Sequence, residues 1–195
     1  MKINNTNILK VNKHGSFVMS SIGLNPLECN KVIDFIEKNI KESDKIINHK
    51  DKKGFSEVDA LLFKTVSNSI KDFIIDNIKY PGLILLNNEI KSHQNIKDSV
   101  YELIKISSST ELQPGSVDVS ISQNKMTFNI SSLIMSLKDT GSELVFPDLN
   151  IKIPLGEGTV IFFPPYWTHC YYINSSTEQK SYIVKTNITN TVPSN

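Results

Sequence analysis

From Leu83 to Ile188 the chain is a succession of short runs rich in β-branched and aromatic residues, separated by turn residues: LILLNNE, YELIKIS, SVDVSIS, TFNISSLIMSL, ELVF, LNIKIP, GTVIFF, HCYYIN and SYIVKTNI. Side chains of this kind fill a pleated, half-buried surface, and runs this short at such regular spacing are the mark of antiparallel sheets. Two helices precede them. In NPLECNKVIDFIEKN, Asn25 is placed to cap, Pro26 fits the first helical position and Glu28 stands three past the cap to complete a capping box. Val32, Ile33, Ile36 and Ile40 follow at helical spacing. The charged stretch KESDKIINHKDKKG reads as a loop. A second helix then opens at Ser56 with Asp59 three residues on, carries Leu61, Leu62, Val66, Ile70, Phe73 and Ile74 along one stripe, and stops before Pro81.

Two helices followed by about eight strands predict an α+β fold: a two-sheet jelly roll, or double-stranded β-helix, with both helices packed on one sheet. A length of 195 residues suits one such domain. The expected division is an N-terminal arm or edge strand over 1–20, a single domain over 21–190 and a short tail over 191–195.

Charge excludes some partners. Lys and Arg total 21 against 20 acidic residues, a net charge of +1, so nothing favours nucleic acid or an anionic membrane. All 21 basic residues are lysine. Any anion site must therefore work without the planar fork of arginine. Cys29 and Cys170 are too few for a disulfide framework and lack metal-ligand spacing. No secretory leader and no apolar run of membrane-spanning length is present, which points to a soluble intracellular protein. A phosphate-cradling glycine loop, a nucleophile elbow and a zinc motif are likewise missing; GEGT at 156–159 reads as a turn into a strand.

The order of elements and several motifs resemble the iron(II)- and 2-oxoglutarate-dependent oxygenases, in particular the compact prolyl-hydroxylase-like ones of phages and marine bacteria. The resemblance runs from about Ser20 to Ile188. It is carried by the helix LNPLECNKVIDFIE, the turn SLKDTGSELVFP, the strand pair LNIKIP and GEGTVIFFPPYWTH, and the final SYIVKTNI. It implies a His-x-Asp pair on one strand and a second His on a later strand, holding iron on one face with room for 2-oxoglutarate and oxygen. A basic residue about ten further on would grip the far carboxylate of 2-oxoglutarate.

Each of those places can be found. The His-x-Asp positions fall on Ser116-Val117-Asp118, so the aspartate is kept and serine replaces the histidine. The distal histidine falls on Tyr171, with His169 matching an earlier, non-ligating histidine. On an extended strand His169 would share the side of Tyr171 but lie about 6.6 Å away. It would reach a metal only through a bulge or register slip. The cosubstrate anchor falls on Ser181. Lys180 beside it should face the opposite way, and Lys185 shares its face roughly 13 Å further along.

Three readings follow. In the first, the chain is an oxygenase-fold protein that has lost iron and 2-oxoglutarate, with Ser116, Tyr171 and Ser181 at altered positions. It then serves as a binding or structural module with protein partners, by analogy in a virus or phage particle or in the host cytoplasm. In the second, it is a dioxygenase using Fe(II) and 2-oxoglutarate with Asp118 and a displaced His169 as ligands, hydroxylating a protein or small molecule. In the third, an unrelated ligand binds in the same cleft among Tyr166, Trp167, Tyr171 and Tyr172. For His169 a buried imidazole hydrogen-bonded at a strand start, beside Trp167, competes with the ligand role. Asp118 reads equally as a turn or edge carboxylate.

Overall fold

The structure is a computed structural model that describes residues 7–11, 17–39, 54–76, 97–98, 101–114, 119–122, 125–165, 169–175 and 179–193. In chain order its elements are strands β1 (Asn7–Val11) and β2 (Phe17–Ile22), helices α1 (Pro26–Asn39) and α2 (Phe55–Asp76), and strands β3 (Lys97–Asp98), β4 (Glu102–Ile106), β5 (Val119–Ser122), β6 (Lys125–Ser136) and β7 (Glu143–Phe146). A 3-10 turn over Pro147–Leu149 leads to β8 (Ile151–Pro154), β9 (Thr159–Phe163), β10 (Tyr172–Asn174) and β11 (Ser181–Pro193). The expected run LILLNNE lies outside the described residues, as do Ile40 and Pro81.

The first helix starts as its sequence dictates. The Glu28 backbone N–H donates to Asn25 Oδ1 at 3.0 Å, and the Asn25 N–H donates to Glu28 Oε2 at 3.0 Å, so each residue satisfies an orphan donor of the other. Cys29, Val32, Phe35 and Ile36 form its buried face. The second helix begins one residue before the expected Ser56 cap, directly after Gly54 at a φ of 87°. Val58, Leu62 and Val66 bury its inner stripe, and the buried Thr65 hydroxyl donates back to the Leu61 carbonyl at 2.9 Å. Among the described residues no helix is long and apolar enough to cross a membrane.

Every pairing between the named strands is antiparallel. In the larger sheet β1, β2, β9, β6 and β11 lie side by side, with β3 and β4 on the far side of β11 and β5 on β6. The smaller sheet is β10, β7 and β8. Its free side is extended by backbone hydrogen bonds from residues 110–113: Thr110 N–H to Ile173 O at 2.9 Å, and a reciprocal pair between Gln113 and Tyr171 at 2.6 and 3.0 Å.

Two apolar layers result. The outer one joins Cys29, Val32, Ile36 and Leu62 of the helices to Leu133, Met135, Val160, Phe162 and Val184 of the larger sheet. The inner one joins Ile134, Ile161, Phe163 and Ile183 of the larger sheet to Leu144, Phe146, Ile153, Tyr171 and Ile173 of the smaller. The larger sheet is covered on both faces. This is why GTVIFF reads as an unbroken apolar run: Val160 and Phe162 serve the outer layer, Ile161 and Phe163 the inner. Two helices against antiparallel sheets make this an α+β fold. Within the first 22 residues, β2 is an interior strand between β1 and β9, with Val18 wholly buried, and β11 continues to Pro193.

One expected strand starts late. HCYYIN pairs as β10 only from Tyr172; Tyr171 makes an isolated bridge to Gln113, and His169 stands before it in a 3-10 turn. Burial still alternates through this stretch, with His169, Tyr171 and Ile173 buried and Cys170 and Tyr172 between them partly exposed.

Candidate functional site

Two of the residues singled out in the sequence, Tyr171 just before β10 and Ser181 at the start of β11, are buried on the inner side of the fold. Tyr171 is held on both sides by backbone pairing, to Gln113 next to the smaller sheet and into β10 beyond. Its ring packs against Phe163 at 5.3 Å between centroids and Phe146 at 6.1 Å, and these two phenyls meet edge-on at 5.0 Å. His169 joins the same group, its ring 6.3 Å from that of Phe146. Phe146 thus touches both residues that the sequence singled out near the distal ligand position. Its own signal was the apolar run ELVF.

Burial pushes the Tyr171 phenol above its ordinary pKa, opposed in part by the charge and hydrogen bond of Lys185. A phenol so placed resists becoming the phenolate that a metal would bind. His169 is fully buried, and its Nε2 atom makes no hydrogen bond.

Deeper in the same layer lies Ser181. It is the first residue of β11, opposite Ile106 of β4, and it shares the inward face with Ile183. Its hydroxyl is 2.7 Å from that of Thr140 and 2.9 Å from that of Ser142, and those two are 2.9 Å from each other. All three residues are buried. A closed triangle of hydroxyls lets each donate to the next, so three polar groups are satisfied without water or ligand. Sequence reasoning found Ser181 but missed Thr140 and Ser142, which sit in a segment read as a turn. Lys180 is exposed, and Lys185 turns inward toward Tyr171 and Glu102. Ser116, Asp118, Tyr166 and Trp167 lie outside the described residues.

On the opposite face of β11, Tyr182 donates its hydroxyl to Glu37 Oε1 of α1 at 2.6 Å, and Lys105 Nζ stands 2.6 Å from the same oxygen. Lys105 and Tyr182 face each other across β4 and β11. One carboxylate thereby ties the helix to β4 and to β11, the strand that carries both Ser181 and Lys185. The hydrogen bond from Lys105, then that from Tyr182, lowers the Glu37 pKa below its ordinary 4.5. Burial, then the bond to Glu37, raises Tyr182 to about 12.

No protein-family model matches the sequence, and no curated protein aligns with it. Solved structures do match. A viral collagen prolyl hydroxylase from Paramecium bursaria Chlorella virus-1, in a complex with 2OG, superposes with a TM-score of 0.58 at 16% identity, covering 89% of this chain and 95% of that one. A Trichoplax adhaerens prolyl hydroxylase in complex with a hypoxia inducible factor peptide gives 0.56 at 10% identity, covering 96% and 84%. A Pseudomonas putida prolyl-4-hydroxylase gives 0.52 at 7% identity, covering 96% and 94%. The chain has the prolyl-hydroxylase fold. The expected likeness to the iron(II)/2-oxoglutarate oxygenases is thus shown at the level of fold, over nearly the whole chain. Of the residues that the sequence resemblance assigned to the distal-ligand and anchor places, Tyr171 is a buried phenol among phenyl rings and Ser181 is bonded to two other hydroxyls. A neutral phenol is a poorer Fe(II) ligand than imidazole, and a neutral hydroxyl a weaker partner for a carboxylate than a cation.

Proposed function

We propose that this chain is a non-catalytic member of the oxygenase superfamily, a prolyl-4-hydroxylase-like double-stranded β-helix that has lost Fe(II) and 2-oxoglutarate and works as a binding or structural module. The strand order supports the double-stranded β-helix. β4, β11, β6 and β9 form one four-strand layer, and residues 110–113, β10, β7 and β8 form the other, which is how eight strands wind between two sheets.

The observation that carries the loss of activity is the filling of the inner layer. Tyr171 stands where the resemblance puts an iron-binding histidine, walled by Phe146 and Phe163, and the hydroxyls of Thr140 and Ser142 close on Ser181 where it puts a cation. Such packing leaves apolar and self-satisfied groups where an enzyme needs open coordination positions and a charged anchor. A module of this kind acts through protein partners, and a place in a virus or phage particle or in the cytoplasm of its host fits that role by analogy alone.

The test is succinate release from 2-oxoglutarate in the presence of Fe(II), oxygen and ascorbate. No release above the protein-free rate is expected. Release that disappears in Asp118→Ala would instead support a dioxygenase that uses Asp118.

A further inference from the structure

We infer that β5 is a self-association edge, on which a second copy of this chain lays its own β5 antiparallel to the first and so joins the two larger sheets. Among the described residues β5 pairs on one side only, with β6, which in turn pairs with β11. Its other side presents a row of backbone N–H and C=O groups that no described strand takes up. The strand reads VSIS, without charge or proline. Val119 and Ile121, two apart and therefore on one side of the strand, are 54% and 72% exposed. Met126 of β6, opposite Ile121, is half-buried beside them.

Other outer strands of the two sheets are blunted. β8 exposes Lys152 and Pro154, and β1 carries Lys10 at an irregular step in its register. On the far side of β11, β3 is Lys97 and Asp98, and β4 bears Glu102 and Lys105. Charge, proline and irregular register are the devices that keep a sheet edge from pairing with another chain. β5 has none of them. Its sequence also selects the occupant, because it is complementary to itself. In an antiparallel pair centred on Ser120, Val119 of each copy stands opposite Ile121 of the other, all four on one face, and Ser120 stands opposite Ser120. A centre between Ser120 and Ile121 would instead set Val119 against Ser122 and Ile121 against Ser120, so the side-chain period favours the first register. No like charges meet in it. The twofold axis closes the assembly at two copies, with β11, β6 and β5 of each in one continuous sheet.

This inference does not rest on the loss of iron, so association is measured on the full chain without metal or 2-oxoglutarate, and the two readings fail independently. Sedimentation velocity should show a monomer–dimer equilibrium with a Kd on the order of 10–100 μM, as suits so short a strand. Amide hydrogen exchange of residues 119–122 should slow as the chain concentration rises. Ile121→Lys and Val119→Glu each set a charge against an apolar residue of the other copy, and each should weaken the dimer by about tenfold or more. Both side chains are exposed, so neither change touches the core. Mixed one to one, the two variants should regain a dimer, because the introduced lysine meets the introduced glutamate while the second Val119–Ile121 pair is intact. A chain that stays monomeric up to about 1 mM would overturn the inference, since β5 is then covered by something other than a second copy. A dimer whose residues 119–122 exchange at an unchanged rate, variants that associate like the original, or a mixture no tighter than either variant alone would each overturn it as well.

Discussion

The side chain at Ser181 decides what its corner of the inner layer can hold. A lysine or arginine there would aim a long cation into the inner layer, whereas serine ends at a hydroxyl that Thr140 and Ser142 complete. Removing that hydroxyl leaves a small void and two buried hydroxyls with one partner fewer each. Ser181→Ala should therefore cost about 1–3 kcal/mol in urea unfolding, more than an exposed serine would. Glu37 and Tyr182 make a second residue-scale prediction, through pH. The folded-state pKa of Glu37 lies below 4.5, so its contribution is complete above that value and is lost as pH falls through the lowered one. Tyr182 is displaced the other way, from 10 to about 12, so its contribution is complete below 10 and fades as pH rises through that interval. Thermal midpoints measured across pH should decline at both ends. Glu37→Gln should flatten the acid decline and Tyr182→Phe the alkaline one.

At the scale of elements, what could be read in advance followed burial on two faces. ELVF and GTVIFF become β7 and β9 with nearly the bounds their apolar runs suggested, and the capping box starts α1 where Asn25 and Glu28 place it. β3 was not legible, because Lys97 and Asp98 carry no apolar pattern and become a strand only by pairing with β11. The start of β10 was misplaced because aromatic residues enter a core from a turn as readily as from a strand. Within the site, Tyr171 and Ser181 were singled out by resemblance to a family pattern, and both are buried. Thr140 and Ser142 were not, since they lie 41 and 39 residues from their partner and hydroxyl residues beside Gly141 read as a turn. The inward turn of Lys185 followed from alternation along β11, but its meeting with Tyr171 depends on how the two sheets face each other. Gly158 packs against the β2–α1 connection: its φ is 74°, its carbonyl accepts from the Gly23 N–H at 2.9 Å, and an added Cβ would collide with the Leu24 carbonyl oxygen. Gly158→Ala should lower the thermal midpoint well beyond Asn25→Ala, whose lost cap is worth about 1 kcal/mol. A smaller effect for Gly158→Ala would mean that the β2–α1 connection moves aside at little cost.

For the whole molecule, fold and chemistry separate. The prolyl-hydroxylase fold needs two sheets, helices on the outside and an apolar layer between, and alternation along the strands supplies all three. Catalysis would need that middle layer to stay open and to carry imidazoles and a cation at set places. Here phenyl rings and hydroxyls occupy it, which favours packing over coordination. The account therefore rests on the grip on metal having been lost. Calorimetric titration of the whole chain with Mn(II), in place of oxidisable Fe(II) and with or without 2-oxoglutarate, addresses this directly. Heats indistinguishable from dilution are predicted; saturable one-to-one binding that vanishes in Asp118→Ala would contradict the account.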